Sequence, residues 1–131
     1  MRPVSRALAL AGILGATGVA AGAFGAHGLR GLVEPAQLDV WKTAAQYQLL
    51  HALALLGLAL AEMQSGEGAF PVWLRRASHF WAVGVVLFSG SLYLVVLVSV
   101  PVVGVITPIG GVSLMTGWLC VLMATVNPRS S

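Results

Sequence analysis

Between Arg76 and Arg129 the chain reads ASHFWAVGVVLFSGSLYLVVLVSVPVVGVITPIGGVSLMTGWLCVLMATVNP, residues 77–128, without one Asp, Glu, Lys or Arg. As one helix rising about 1.5 Å per residue, this stretch would overshoot a hydrocarbon core of about 30 Å more than twofold. Pro101 and Pro108, with Gly104, Gly110 and Gly111, punctuate its middle and break it there. The stretch therefore holds two spans, Ala77 to Val98 and Ile106 to Val126, folded into a tight hairpin.

Working outward, the whole chain fits this reading. Its 131 residues are 58% hydrophobic and 8% charged, and its mean hydropathy is +0.91, outside the balance of a soluble domain. Two more uncharged or nearly uncharged segments, Ala7 to Ala26 and Ala44 to Ala61, reach spanning length. Lipid supplies no partners for backbone N–H and C=O groups, and runs of this length suit helices rather than barrel strands. The expectation is an all-α integral membrane bundle of four transmembrane helices forming a single domain, residues 1–131, with no room for a soluble catalytic domain. The formal charge of +3 and pI near 9.8 come from a few basic residues beside apolar runs, which match anionic lipid head groups rather than nucleic acid. Cys120, the single cysteine, lies in an apolar run and reads as an inert thiol.

The first segment follows Arg2 and Arg6 and is rich in Ala and Gly. Its basic start and the small residues Ala21-Gly22-Ala23 imitate a cleavable signal peptide. Gly18, Gly22 and Ala26, at four-residue steps, instead suggest a ridge for close helix packing, which a discarded peptide does not need. Gly28 to Gly31 end this helix, and Glu34-Pro35 starts the next, with Pro at the first helical position where its missing N–H costs nothing. Leu38, Trp41 and Ala45 give the entry an apolar face and Asp39, Lys42 and Gln46 a polar one, so a short interfacial helical entry is expected before the second span, with Trp41 in the head-group zone. Leu49, Leu50, Leu53, Leu55, Leu56, Leu58 and Leu60, at about −0.5 kcal/mol each, contribute roughly −3.5 kcal/mol to insertion, enough to offset that polar turn. The linker Glu62 to Arg76, with Gly66, Gly68 and Pro71, reads as a solvated loop ending in a basic anchor.

Polar residues collect in the half of the bundle away from the termini. His27 ends the first helix; Tyr47, Gln48 and His51 share one side of the second; Ser91 and Tyr93 lie on the third; Thr107 opens the fourth. Facing lipid, each would cost kilocalories, so they are expected to turn inward. They read either as interhelical hydrogen-bond glue or as a ligand site, and the absence of a carboxylate, Lys or Arg among them favours glue over an ion pathway. His27 and His51 also permit a haem reading, as imidazoles on facing helices, whereas His79 belongs beside Arg75 and Arg76. Gly22, Gly25 and Gly28 do not match the dinucleotide pattern, and no Ser/His/Asp set, zinc spacing or phosphate loop is present, so neither a catalytic residue nor a metal or cofactor is expected.

Taken together, Gly22-Ala23-Phe24-Gly25-Ala26-His27-Gly28-Leu29, Trp41 to Tyr47-Gln48 with His51-Ala52-Leu53-Ala54-Leu55, Leu87-Phe88-Ser89-Gly90-Ser91-Leu92-Tyr93, Thr107-Pro108-Ile109-Gly110-Gly111 and Gly117-Trp118 resemble the YgdD-like small inner-membrane proteins over nearly the whole chain. The resemblance implies four spans and an inner (plasma) membrane location, and it supplies no activity, cofactor or catalytic residue. Three functions remain open: a non-enzymatic structural, accessory or assembly protein acting through helix contacts with a homo-oligomer or membrane-protein partner, a small-molecule or lipid binder or transporter using the polar layer, and a haem redox protein. Four-span multidrug exporters match only in size, since the first span lacks their membrane-embedded Glu.

Orientation follows from the flanking cations. Arg2, Arg6, Arg75, Arg76 and Arg129 fall on one side, Arg30 and Lys42 on the other, which places both termini in the cytoplasm. A C-terminal reporter active only in the cytoplasm is expected to work; activity confined to an extracytoplasmic reporter would reverse the topology.

Overall fold

The structure is a computed structural model that describes residues 5–128; Arg2 and Arg129, used in the orientation count, lie outside the described residues. Four helices follow in order: α1 Arg6–His27, α2 Pro35–Gln64, α3 Val72–Val98 and α4 Ile106–Val126, with a 3₁₀ segment, Pro101–Val105, between the last two. All four are long and apolar enough to cross a membrane. Pro35 is the first residue of α2, and the N–H of Glu34 donates to the Gln37 side chain at 3.2 Å, fixing the start of the helix. The second connection is shorter than expected: α2 continues through Glu62 to Gln64 and α3 begins at Val72, so Arg75 and Arg76 are helical. Gly68 takes φ 71° in the remaining turn, a conformation open to glycine. Ser99 closes α3 with φ 52° as its N–H donates to the Val95 carbonyl.

The packing is sequential. α1 lies on α2, α2 on α3 and α3 on α4, and among the described residues no other helix pair approaches over more than a residue or two of backbone. α2 and α3 are therefore central and α1 and α4 flank them. At the end bearing the termini, Ala11, Leu55, Trp81, Val85 and Leu114 form a core drawn from all four helices. At the opposite end Leu29, Trp41 and Val96 form a second core.

The seams are built from glycine facing bulk. On α4, Gly110, Leu114 and Gly117 are buried at four- and three-residue steps, the spacing that keeps one helix stripe against a neighbour. Gly110 sits against the backbone of Leu87 and Phe88, Gly84 accepts the Leu114 side chain, and Gly117 lies under Trp81. α1 buries Ala7, Ala11, Gly18 and Gly25. Gly18 meets Leu49 and Gln48, and a Cβ on Gly25 would stand 2.5 Å from the Trp41 ring.

Two expectations change here. The close approach of α1 to α2 runs through Gly18 and Gly25, not Gly18, Gly22 and Ala26: a Cβ at Gly22 would meet nothing within 4 Å, and Ala26 is exposed. A seven-residue step completes nearly two turns and returns to one face, whereas repeated four-residue steps drift around the helix. Nor does the Trp41 ring face outward. It is buried, its indole N–H donates to the Ala21 carbonyl at 2.7 Å, and its ring packs on Phe24 and Tyr93. The apolar face of the α2 entry thus turns into the protein, leaving Asp39, Lys42 and Gln46 exposed.

The contrast between glycines is measurable. Gly110→Ala places a methyl group against backbone that has no rotamer to yield, and is expected to cost about 1–3 kcal/mol. Gly12→Ala, at a position with nothing within 4 Å, should stay within about 0.5 kcal/mol of the parent. Unfolding in mild detergent compares the two, and equal effects would contradict the α3–α4 seam.

Candidate functional site

Gln48 occupies the centre of the polar array. It faces away from lipid at 5% exposure, and its carboxamide joins three helices. The amide nitrogen donates to the Leu14 carbonyl at 3.0 Å and to the Thr17 hydroxyl at 2.7 Å, both on α1. The amide oxygen accepts the Tyr93 hydroxyl of α3 at 2.7 Å. Thr17 in turn donates to the Ile13 carbonyl, so its hydroxyl is used in both directions. Tyr93 reaches so far because helical side chains lean toward their own N-terminus, carrying its phenol down α3 toward Gln48. Each such interhelical bond is worth about 0.6 kcal/mol on average.

His51, one turn further along α2 and 3% exposed, has both ring nitrogens engaged. Nδ1 stands 2.8 Å from the Tyr47 carbonyl, and the indole N–H of Trp118 on α4 points to Nε2 at 3.1 Å. A carbonyl only accepts and an indole N–H only donates, so these partners select the neutral ring with its proton on Nδ1. Trp81 and Trp118 pack as a tilted pair at 4.6 Å between centroids, each 6.0 Å from the imidazole. The Trp81 indole N–H is buried and has no acceptor among the described residues. Tyr47 itself is 43% exposed, its ring lying between Phe88 at 4.7 Å and the His51 imidazole, on which it stacks at 6.2 Å.

The remaining polar residues form separate joints. Ser91 and Thr107 share a 2.6 Å hydrogen bond across the α3–α4 hairpin. Ser89 donates to the Ala44 carbonyl at 2.7 Å, linking α3 to α2, and Ser113 donates to the Phe80 carbonyl at 2.8 Å. His27 is exposed at the last residue of α1.

The residues proposed as one layer therefore divide into Gln48 with Tyr93, His51 with Tyr47 and Trp118, Ser91 with Thr107, and His27 at the surface. Nor do they share one level. Gln48 faces Leu14 and Thr17, the middle of α1, and His51 lies deeper still, beside Trp81 in the first half of α3. Trp41 marks the level of Ala21, and His51 is ten residues beyond it, about 15 Å along a helix. His27, beyond Ala21 in the other direction, cannot share an axial pair with His51, whose nitrogens are in any case occupied; the haem reading fails on geometry. Among the described residues no three His, Cys, Asp or Glu side chains gather as metal ligands.

Thr17, Ser89, Trp81 and Trp118 complete the network and were not expected in it. A signal was present for Trp118, which falls inside its span rather than at an end, where the aromatic belt would place it; Trp81, one turn into the span that starts at Ala77, carries none. Clefts open on the surface among the described residues. One, of about 450 Å³, runs along α1 and α2 past Leu8, Gly12, Gly15, Val19, Leu53 and Leu56; another, of about 250 Å³, lies between α3 and α4 beside Arg76, His79, Phe80, Val83 and Ser113. Neither is lined by Gln48, His51, Ser91, Tyr93 or Thr107.

With this geometry in place, comparison with known proteins is informative. Residues 21–111 match the family described as "Protein of unknown function (DUF423)". The UPF0382 membrane protein YwdK of Bacillus subtilis (strain 168) is 43% identical over 112 residues, covering 83% of this chain and 86% of that protein. The UPF0382 inner membrane protein YgdD of Escherichia coli (strain K12) is 40% identical over 120 residues, covering 92% of this chain and 88% of its own length. A Staphylococcus aureus relative, UPF0382 membrane protein SAB0533, is 42% identical over 107 residues, 82% of this chain and 84% of the relative. No solved structure matches. The resemblance read from the motifs is borne out, as is the four-helix membrane architecture.

If Gln48 and Tyr93 form one joint, their substitutions are not independent. Tyr93→Phe is expected to lower stability by about 0.6 kcal/mol and at most about 1.7 kcal/mol. Added to Gln48→Leu it should cost less than it does alone, and strict additivity of the two in a double-mutant cycle would dissolve the pair.

Proposed function

The chain belongs to the DUF423 family of membrane proteins, and from that premise we propose that it is a non-enzymatic accessory or assembly protein that works by presenting helix faces to other membrane helices. The observation that carries this reading is how the chain divides its small and polar residues. Gln48, His51, Ser89 and Ser91 are buried, and each is hydrogen-bonded to a neighbouring helix or its own backbone, so their binding capacity is taken up inside the fold. The small residues, by contrast, are not all used. Gly12, Gly15 and Gly22 on α1 have open space where a side chain would be, and Gly12 and Gly15 border the apolar cleft of α1 and α2. A lipid-facing row of glycine adds little to insertion and permits another helix to come within van der Waals reach of the backbone.

Both termini are assigned to the cytoplasm, supported by Arg6, Arg75 and Arg76 at one end of the helices against Arg30 and Lys42 toward the other. The inner (plasma) membrane is assigned by analogy with the relative that carries that location in its name. The interfacial role of the α2 entry is retained only for its exposed polar side.

The test is association in a native-like environment. Purified in mild detergent or native nanodiscs, the protein should run as a homo-oligomer or with a stoichiometric membrane partner. Gly12→Leu with Gly15→Leu should abolish that association by at least tenfold and leave unfolding unchanged. Recovery of the monomer alone, or association indifferent to both glycines, would overturn the proposal.

A further inference from the structure

The second cleft points to a ligand that helix association does not explain. It lies between α3 and α4 and is lined by Arg76, His79, Phe80, Val83 and Ser113. Arg76 belongs to the opening turns of α3, and its guanidinium lies 4.7 Å above the Trp73 ring. That contact holds the cation in place while leaving its charge without a carboxylate among the described residues. His79, one turn on, directs Nδ1 at the Arg75 carbonyl at 2.7 Å, which leaves Nε2 as the ring's remaining polar atom.

Below these groups the walls change character. Phe80 and Val83 are 38% and 53% exposed, and Ser113 is turned onto the Phe80 carbonyl, so the lower cleft is apolar. From Arg76 to Val83 the helix descends about 10 Å. In a bilayer this sets a cation at head-group depth directly above an apolar slot in the hydrocarbon. A soluble anion would engage the mouth alone, and a neutral lipid the walls alone; an amphiphile with an anionic head satisfies both.

We propose that this cleft binds one anionic phospholipid, its phosphate at Arg76 and His79 and one acyl chain along Phe80 and Val83. The site requires only the membrane location of the chain, and stands or falls separately from the helix-contact reading.

Native mass spectrometry of the full chain, titrated with phosphatidylglycerol, phosphatidylcholine or inorganic phosphate, tests it. One phosphatidylglycerol per chain is expected to be retained in preference to phosphatidylcholine. Arg76→Gln should weaken that binding about fivefold, the contribution of one basic side chain near an anionic surface. Val83→Trp, which fills the slot but spares the cation, should weaken it at least as much, while both variants keep the parent's lipid-free melting temperature. Equal retention of phosphatidylcholine, competition by millimolar phosphate alone, or an Arg75→Gln effect as large as that of Arg76→Gln with Val83→Trp silent would each overturn the site. The last would mean diffuse attraction to the surface rather than a cleft.

Discussion

A polar group inside hydrocarbon has nowhere to turn but to its own protein, and most features of this fold follow from that. Gln48 meets the demand with three partners on two helices, His51 with one on its own helix and one on α4, and Trp41 with a carbonyl of α1. Each bond is modest, yet the alternative is an unpaired group in a medium that cannot solvate it, costing several kilocalories. The bonds thereby select the register of helices whose apolar surfaces are otherwise interchangeable.

Satisfying those groups requires helices to approach closely, and glycine makes the room. The α1–α2 and α3–α4 seams pair an absent side chain with a large one: Gly25 with Trp41, Gly84 with Leu114, Gly117 with Trp81. The backbone entropy that glycine loses in a helix is offset by the van der Waals contact it admits, and lipid, as apolar as leucine, gives no competing reason for two helices to associate. Packing and hydrogen bonding are thus one constraint. Trp41 reaches Ala21 because Gly25 lets the N–H edge of its indole come up against α1.

The number, order and approximate ends of the helices were legible in hydropathy and in Pro35, because crossing length and helix starts are local properties. The directions of side chains were not. Between helix and lipid both sides are apolar, so a leucine or tryptophan carries no mark of which it faces; Trp41 turns into the protein, and Trp81 and Trp118 lie against His51. Gln48, His51 and Ser91 are buried and Tyr93 bonds Gln48, but nothing in the sequence marks how the polar residues group. Five bonds, from Gln48, Trp41, Ser89, His51 and Ser113, go to backbone carbonyls, those of Leu14, Ala21, Ala44, Tyr47 and Phe80. Every residue carries a carbonyl, so no sequence pattern distinguishes the ones that accept.

The motifs that carry the family resemblance are these same joints, and this bears on how function is to be sought. Gly25 of the first motif receives Trp41 of the second; Gln48 of the second binds Tyr93 of the third; Ser91 of the third binds Thr107 of the fourth; His51 accepts Trp118 of the last. A histidine or tyrosine in such a motif would suggest chemistry in a soluble enzyme, where water could satisfy it and its presence would call for another reason. In hydrocarbon the demand of the polar group itself is reason enough, and the fold accounts for the motif before any substrate is invoked. Side chains that the fold leaves uncommitted are then the better guide to activity; among them are the buried Trp81 indole N–H and, at the surface, those around Arg76, together with the open glycines of α1.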